Sequence, residues 1–183
     1  LCGQISEIRK AAAEELAKRI TEHLAELNFL DVRFQIQLDR VENYSANGFD
    51  ETEYLIAVNV GEPLKPMAKV ASGGELSRVM LALKTVLADK DEVESIIFDE
   101  IDTGISGRTA QKVSEKMALI GKSRQVICIT HLPQIASMSD AHFLIEKSVQ
   151  GQMTTTGIRR LKANEEVEEL ARMLGGVEIS EKV

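Results

Sequence analysis

The chain has 183 residues, with 22 Lys and Arg against 29 Asp and Glu for a formal charge of -7, and 44% of its residues are hydrophobic. This is the composition of about one ordinary globular domain, which excludes a disordered tail, a collagen repeat and a coiled-coil fibre. No apolar run nears the ~20 residues that cross a bilayer, and the acidic balance excludes a surface that grips nucleic acid over its whole extent, though not a local basic patch.

Cys2 and Cys128 lie far apart, without metal spacing, and point to a reducing compartment. No secretory leader is read. The chain begins Leu1-Cys2-Gly3-Gln4 without an initiator methionine, so a piece of a longer protein or a processed chain is expected.

Residues 4–28 read as a helix, with Ile5, Ile8, Ala12, Leu16, Ile20, Leu24 and Leu27 recurring at about 3.7 residues. A surface helix and the end of a coiled coil both fit this stripe. Residues 32–38 alternate as a half-buried strand, 43–52 read as a loop rich in Asn, Ser, Gly and Asp, and 54–60 as a second strand. After Gly61, Pro63 and Pro66, a helix is expected over 74–87 with Leu76, Val79, Met80, Leu83 and Val86 inward. Arg78 and Lys84 on this helix read as solvated. Residues 95–98 and 125–129 read as strands buried on both faces, with a helix over 107–120 between them. A short helix (134–138), two strands (141–147 and 154–161) and an acidic helix (164–174) complete the chain. Strand, helix, strand in the middle predicts an α/β fold with a parallel sheet.

Three segments carry candidate chemistry. Ser95-Ile96-Ile97-Phe98 ends in Asp99-Glu100, two carboxylates at the edge of a sheet where ligands gather. Asp99 there suits Mg²⁺, and Glu100 suits proton acceptance from a water that attacks a phosphate. Ser72-Gly73-Gly74-Glu75 opens a helix, where bare backbone amides and the helix dipole favour an anion. His131 follows the strand 125–129 and suits contact with a phosphate or its attacking water. Each alone has a plainer reading: solvated acids, a helix cap and a structural histidine. Their order is far more specific than any one of them, and the spacing from Asp99 to His131 holds one crossover helix. His23 and His142 are given no role.

In that order the chain resembles the carboxyl-terminal half of an ATP-binding-cassette ATPase head, of the SMC-like type found in chromosome-maintenance and DNA-repair proteins. Ala71 to Glu75 matches the signature motif, with Ala where Leu is commoner. Ile96 to Asp99 matches Walker B, followed by the catalytic Glu100. Ile101 to Gly104 matches the D-loop, and His131 the switch histidine. The stretches 61–83, 98–107 and 130–136 are most similar to the bacterial double-strand-break-repair branch of that family.

The resemblance, which covers roughly residues 55 to 175, implies a P-loop NTPase-like α/β fold in two parts. Residues 1–28 would be a helix returning from a long antiparallel coiled coil, and residues 29–183 the carboxyl-terminal lobe of the head. It implies ATP and Mg²⁺ as cofactors, with Asp99 holding the metal through water and Glu100 and His131 as catalytic residues. Ser72, Gly73, Gly74 and Glu75 would contact the ATP of a partner head, and Asp102 would sit at the dimer interface beside it. The partners implied are the amino-terminal lobe of the same protein, a second head in an ATP-dependent homodimer, and DNA through the full-length protein. The setting would be the bacterial cytoplasm, at the nucleoid, with no membrane.

One departure limits the match. A cassette ATPase needs Gly-x-x-x-x-Gly-Lys-Ser/Thr to cradle phosphates, and the chain has none. Gly121-Lys122-Ser123 has Lys116, not Gly, five residues earlier and lies between a helix and a strand, the reverse of the required order. The chain alone is therefore expected to bind ATP weakly and hydrolyse none. Two other classes compete: a metal-dependent phosphoesterase built on Asp99, Glu100, Asp102 and His131, and a non-catalytic oligomerisation module.

Overall fold

The computed structural model describes residues 1–29, 31–70, 72–88, 90, 92–150 and 153–175. The chain gathers into two compact units, residues 1–129 and 130–183. The helix that opens the chain falls within the first unit.

In the first unit, α1 (Cys2–Glu26) packs on the antiparallel sheet β1 (Arg33–Ser45), β2 (Gly48–Ala57) and β3 (Lys65–Pro66), and on α2 (Gly73–Val86). A parallel pair, β4 (Ser95–Phe98) and β5 (Gln125–Cys128), is joined through α3 (Gly107–Gly121). Ile20, Leu24, Leu27, Phe34, Ile56, Val79, Ala82, Val113 and Ile120 are among the buried apolar residues of this unit.

The apolar stripe of α1 is only partly used. Ile20, Leu24 and Leu27 are buried, but Ile5 and Ala12 are exposed and Ile8 is 69% exposed. Toward its start, α1 is instead held by polar bonds to β2: Ser6 Oγ donates to Asp50 Oδ1 at 2.7 Å and Arg9 Nη1 to Asp50 Oδ2 at 2.8 Å. These bonds hold the Asp50 carboxyl below its ordinary pKa.

The loop expected over 43–52 is not a loop. β1 runs on to Ser45, the chain turns at Ala46-Asn47, and Gly48 (φ +99°) starts β2. The register slips between Arg40 and Ser45, and the far end of β1 is exposed on both faces. Polar residues on both faces hide a strand's alternation, which is why the segment read as loop.

The strands expected to be buried on both faces each have one open face. Ile96 and Phe98 are buried, while Ile97 is 66% exposed; on β5, Ile127 is 45% exposed, and Ile129 just beyond it 49%. Pairing is parallel as expected, Phe98 beside Cys128.

The second unit holds α4 (Pro133–Ala136), the antiparallel hairpin β6 (Phe143–Gln150) and β7 (Met153–Arg160), and α5 (Ala163–Gly175). Glu165 caps the start of α5 by accepting from Lys162 N at 2.8 Å, and also pairs with Arg159.

Candidate functional site

Ser72 has extended backbone (φ -99°, ψ 125°) and its Oγ accepts from Glu75 N at 3.4 Å, so it caps α2. A hydroxyl that accepts one bond still has a proton to give. Ala71 lies outside the described residues. Gly73 and Gly74 form the first turn, with Glu75 half-buried beside them.

The other wall of the site is the turn after β4. Asp99 and Glu100 are exposed, and Asp99 Oδ1 accepts from Glu100 N at 2.9 Å. Glu100 has φ +56°, a left-handed conformation that costs a non-glycine residue about 1–3 kcal/mol. Such a conformation persists only where its surroundings hold it. Here Thr103 N donates to Glu100 O at 3.0 Å, closing the turn Glu100-Ile101-Asp102-Thr103.

α2 binds this turn at several points. Ser77 Oγ donates to Asp99 O at 2.8 Å. Arg78 Nη1 donates to Thr103 O at 2.9 Å and to Ile101 O at 3.3 Å. A β-carbon on Gly74 would stand 2.9 Å from Glu100 O and 2.9 Å from Thr103 Cβ, and one on Gly73 would collide with the Glu100 carboxylate. Gly74 is therefore required for α2 to approach the turn so closely, and Gly73 leaves room for the Glu100 side chain. α2 and the turn after the Asp-Glu strand end form one unit, hydrogen-bonded through Ser77 and Arg78 and close-packed at Gly74.

Arg78 is not solvated as its charge predicted. It is 7% exposed, its guanidinium lies 5.4 Å from the centre of the Phe29 ring, and its Nε has no hydrogen-bond partner. Burial holds its pKa below the ordinary value, with Glu75 opposing. Arg78 and Ser77 are the residues that sequence reasoning missed. The available signal was position: Arg78 is on the helical stripe of Gly74, Leu81 and Ala82, where a charge needs a buried partner. Leu76 and Met80 are only half-buried, and line a shallow groove with Ile96, Ile97 and Phe98.

Asp102 is 4% exposed, so its side chain is turned into its own fold, while Thr103 and Gly104 beside it are open. Burial, and then the charges of Asp102 and Asp99, push the Cys128 thiol up to about 12. His131 belongs to the second unit; it is exposed, in a turn where Leu132 N donates to Thr130 Oγ1 at 3.0 Å. Gly121-Lys122-Ser123 is a helix-end turn, with Ser123 N and Arg124 N both donating to Ile120 O. Among the described residues, no three His, Cys, Asp or Glu side chains gather as a metal cage.

A parallel pair ending in Asp-Glu, with a glycine-started helix seated on the following turn, has the fold of SMC head domains. The Smc head domain of Pyrococcus yayanosii, with coiled coil and joint, matches with a TM-score of 0.60 over 90% of this chain and 30% of that one, at 21% identity. The Smc head of Pyrococcus furiosus, with an extended coiled coil and bound to the C-terminal domain of ScpA, matches with 0.56 over 90% and 39%, also at 21% identity. A chain from work on ATP-driven dimerization and DNA-stimulated activation of SMC ATPases matches with 0.50 over 92% and 96%, at 19% identity. At these identities the likeness is one of fold.

In sequence, the chain is 48% identical over 181 residues to DNA repair protein RecN of Halalkalibacterium halodurans, covering 97% of this chain and 32% of that protein. It is 43% identical over 194 residues to RecN of Bacillus subtilis, covering 98% and 34%. No protein-family model matches. These RecN proteins are homologous to nearly all of this chain, which spans about a third of their length.

Proposed function

We propose that this chain is the carboxyl-terminal half of an SMC-like ATPase head. The full-length protein closes two such heads on ATP, hydrolyses it, and uses that cycle in double-strand-break repair and recombination in the bacterial cytoplasm. The observation that carries this reading is the docking of α2, through Gly74, Ser77 and Arg78, on the turn at Asp99–Thr103.

The donor set fits the cofactors. Asp99 and Glu100 offer exposed carboxylate oxygens to a hard cation, and Gly73 and Gly74 leave no side chain over the amides of a helix start. Bound Mg²⁺ and ATP would supply a γ-phosphoryl group with its charge neutralised, and Asp99 would hold the metal. Glu100 accepts the proton of the attacking water. Ser72, Gly73, Gly74 and Glu75 of one head meet the γ-phosphate held by the other. His131 senses that phosphate. The turn of Asp102, with Thr103 and Gly104 open beside it, would sit at the interface with the partner head.

The remaining parts come from outside the chain. The phosphate loop absent here lies on the amino-terminal lobe, to which we assign the open face at Ile97, Ile127 and Ile129. The exposed Ile5 and Ile8 on α1 are assigned to the outgoing arm of the coiled coil. DNA is engaged through the full-length protein.

Glu100→Gln in the full-length protein tests the reading. The amide keeps the carboxylate's shape but takes no proton. ATP binding should persist, turnover should fall to background, and ATP-dependent dimers should accumulate in sizing with Mg²⁺ and ATP. An unchanged monomer fraction contradicts the role given to Glu100.

A further inference from the structure

Arg78 touches neither of the surfaces that the ATPase reading assigns to nucleotide. It is buried on α2, a turn and a half beyond Ser72, and its Nη1 spans the carbonyls of Ile101 and Thr103. Those carbonyls flank Asp102, and Thr103 N closes the turn on the carbonyl of Glu100. Glu100 sits at φ +56°, a conformation that does not hold itself. Removing the guanidinium would leave one buried carbonyl, that of Ile101, and one half-buried carbonyl, that of Thr103, without this donor.

We infer that Arg78 is a positioning residue for Glu100 of its own head: it links the helix that meets the partner's nucleotide to the turn that sets the base in its own site. This rests on the head–head reading above. A bidentate-capable, always-charged guanidinium suits the task, since a lysine ammonium is a point charge with less reach across two carbonyls. Ser77, which holds the carbonyl of Asp99, supports the same turn one residue earlier.

The geometry makes a directional statement. In a two-headed dimer each composite site takes Glu100 from one head and Ser72 from the other. If Arg78 acts on its own Glu100, its loss damages the site that contains that Glu100. If it only shapes the start of α2, its loss damages the opposite site, the one that uses its own Ser72.

The test uses full-length Arg78→Met, Ser72→Arg and Glu100→Gln proteins, mixed in pairs with subunit exchange and with mixed dimers verified by two affinity tags. Arg78→Met alone should lose at least tenfold in turnover while retaining ATP-dependent dimerisation. Mixed with Ser72→Arg, both defects fall in one site and about a quarter of wild-type turnover should return. Mixed with Glu100→Gln, both sites are damaged and nothing should return. The opposite pattern, recovery with neither partner, or undiminished turnover of Arg78→Met overturns the inference. Should Arg78→Met fail to fold, Arg78→Lys replaces it, with a smaller loss and the same pattern of recovery. The Ser72→Arg with Glu100→Gln pair is the control. If that pair fails to recover although mixed dimers form, the head–head reading falls and this inference with it; if it alone recovers, the Arg78 inference falls by itself.

Discussion

The carboxylate of Glu100 occupies the space that a β-carbon on Gly73 would need, whereas Gly74 backs onto the main chain of the same turn, 2.9 Å from where its β-carbon would meet Glu100 O. The two glycines therefore differ in what they protect. At Gly73 the obstacle is the end of a flexible side chain. At Gly74 it is the Glu100 and Thr103 carbonyls and Thr103 Cβ, none of which moves without the backbone.

Gly74→Ala should cost about 1–3 kcal/mol in urea unfolding, as overpacking does. Gly73→Ala should cost less than about 1 kcal/mol, because only a side chain is displaced. In the full-length protein, Gly73→Ala should nevertheless reduce ATP turnover, since the displaced group is the proposed base. Equal stability losses at the two positions would refute the packing argument.

The junction of α1 with α3 should weaken in acid. Lys116, 7% exposed, binds His23 Nδ1 at 2.5 Å and Glu26 Oε2 at 2.7 Å. Burial first, then the Lys116 charge, lowers the pKa of His23; the Lys116 hydrogen bond lowers that of Glu26. Both groups bind protons less readily when folded. The His23 contribution is thus present above its unfolded pKa of about 6.5 and is lost as pH falls through the folded value; that of Glu26 is lost below about 4.5 in the same sense. Melting temperature against pH should show the first step in the wild type and lose it in His23→Gln. Lys116→Met should remove most of the Glu26 step but only part of the His23 step, because burial remains.

Cys128 should be nearly inert while the strand pair is intact. With its pKa near 12 against an ordinary 9.0, alkylation at pH 8 should be on the order of a thousandfold slower than in urea. Asp99→Asn should speed it only modestly, since burial is the larger cause. Alkylation of Cys128 at equal rates in native buffer and in urea would contradict the environment described for it.

The legible parts of the chain are those where one local signal coincides with one fold element. Ser72 followed by two glycines and an apolar period starts α2 within a residue of its expected position, and β4 and α3 are as well placed. The hairpin at Ser45–Gly48 was illegible because the outer half of β1 is exposed on both faces, which erases the period of two. Ile97 and Ile127 read as buried because composition cannot say whether both faces of a strand are covered by the same chain. Arg78 read as solvent-facing because its acceptors are carbonyls 23 and 25 residues away, and no local pattern announces a backbone carbonyl.

The central claim is that Ser72 completes the ATP site of a partner head whose own base is Glu100. Ser72→Arg and Glu100→Gln full-length proteins, each inactive alone, test it when mixed so that subunits exchange. A trans role puts both defects of a mixed dimer into one site and leaves the other wild type. With half the dimers mixed and sites acting independently, about a quarter of wild-type ATPase activity should return. Zero recovery, with mixed dimers verified and site independence shown by a second mutant pair, would contradict the account.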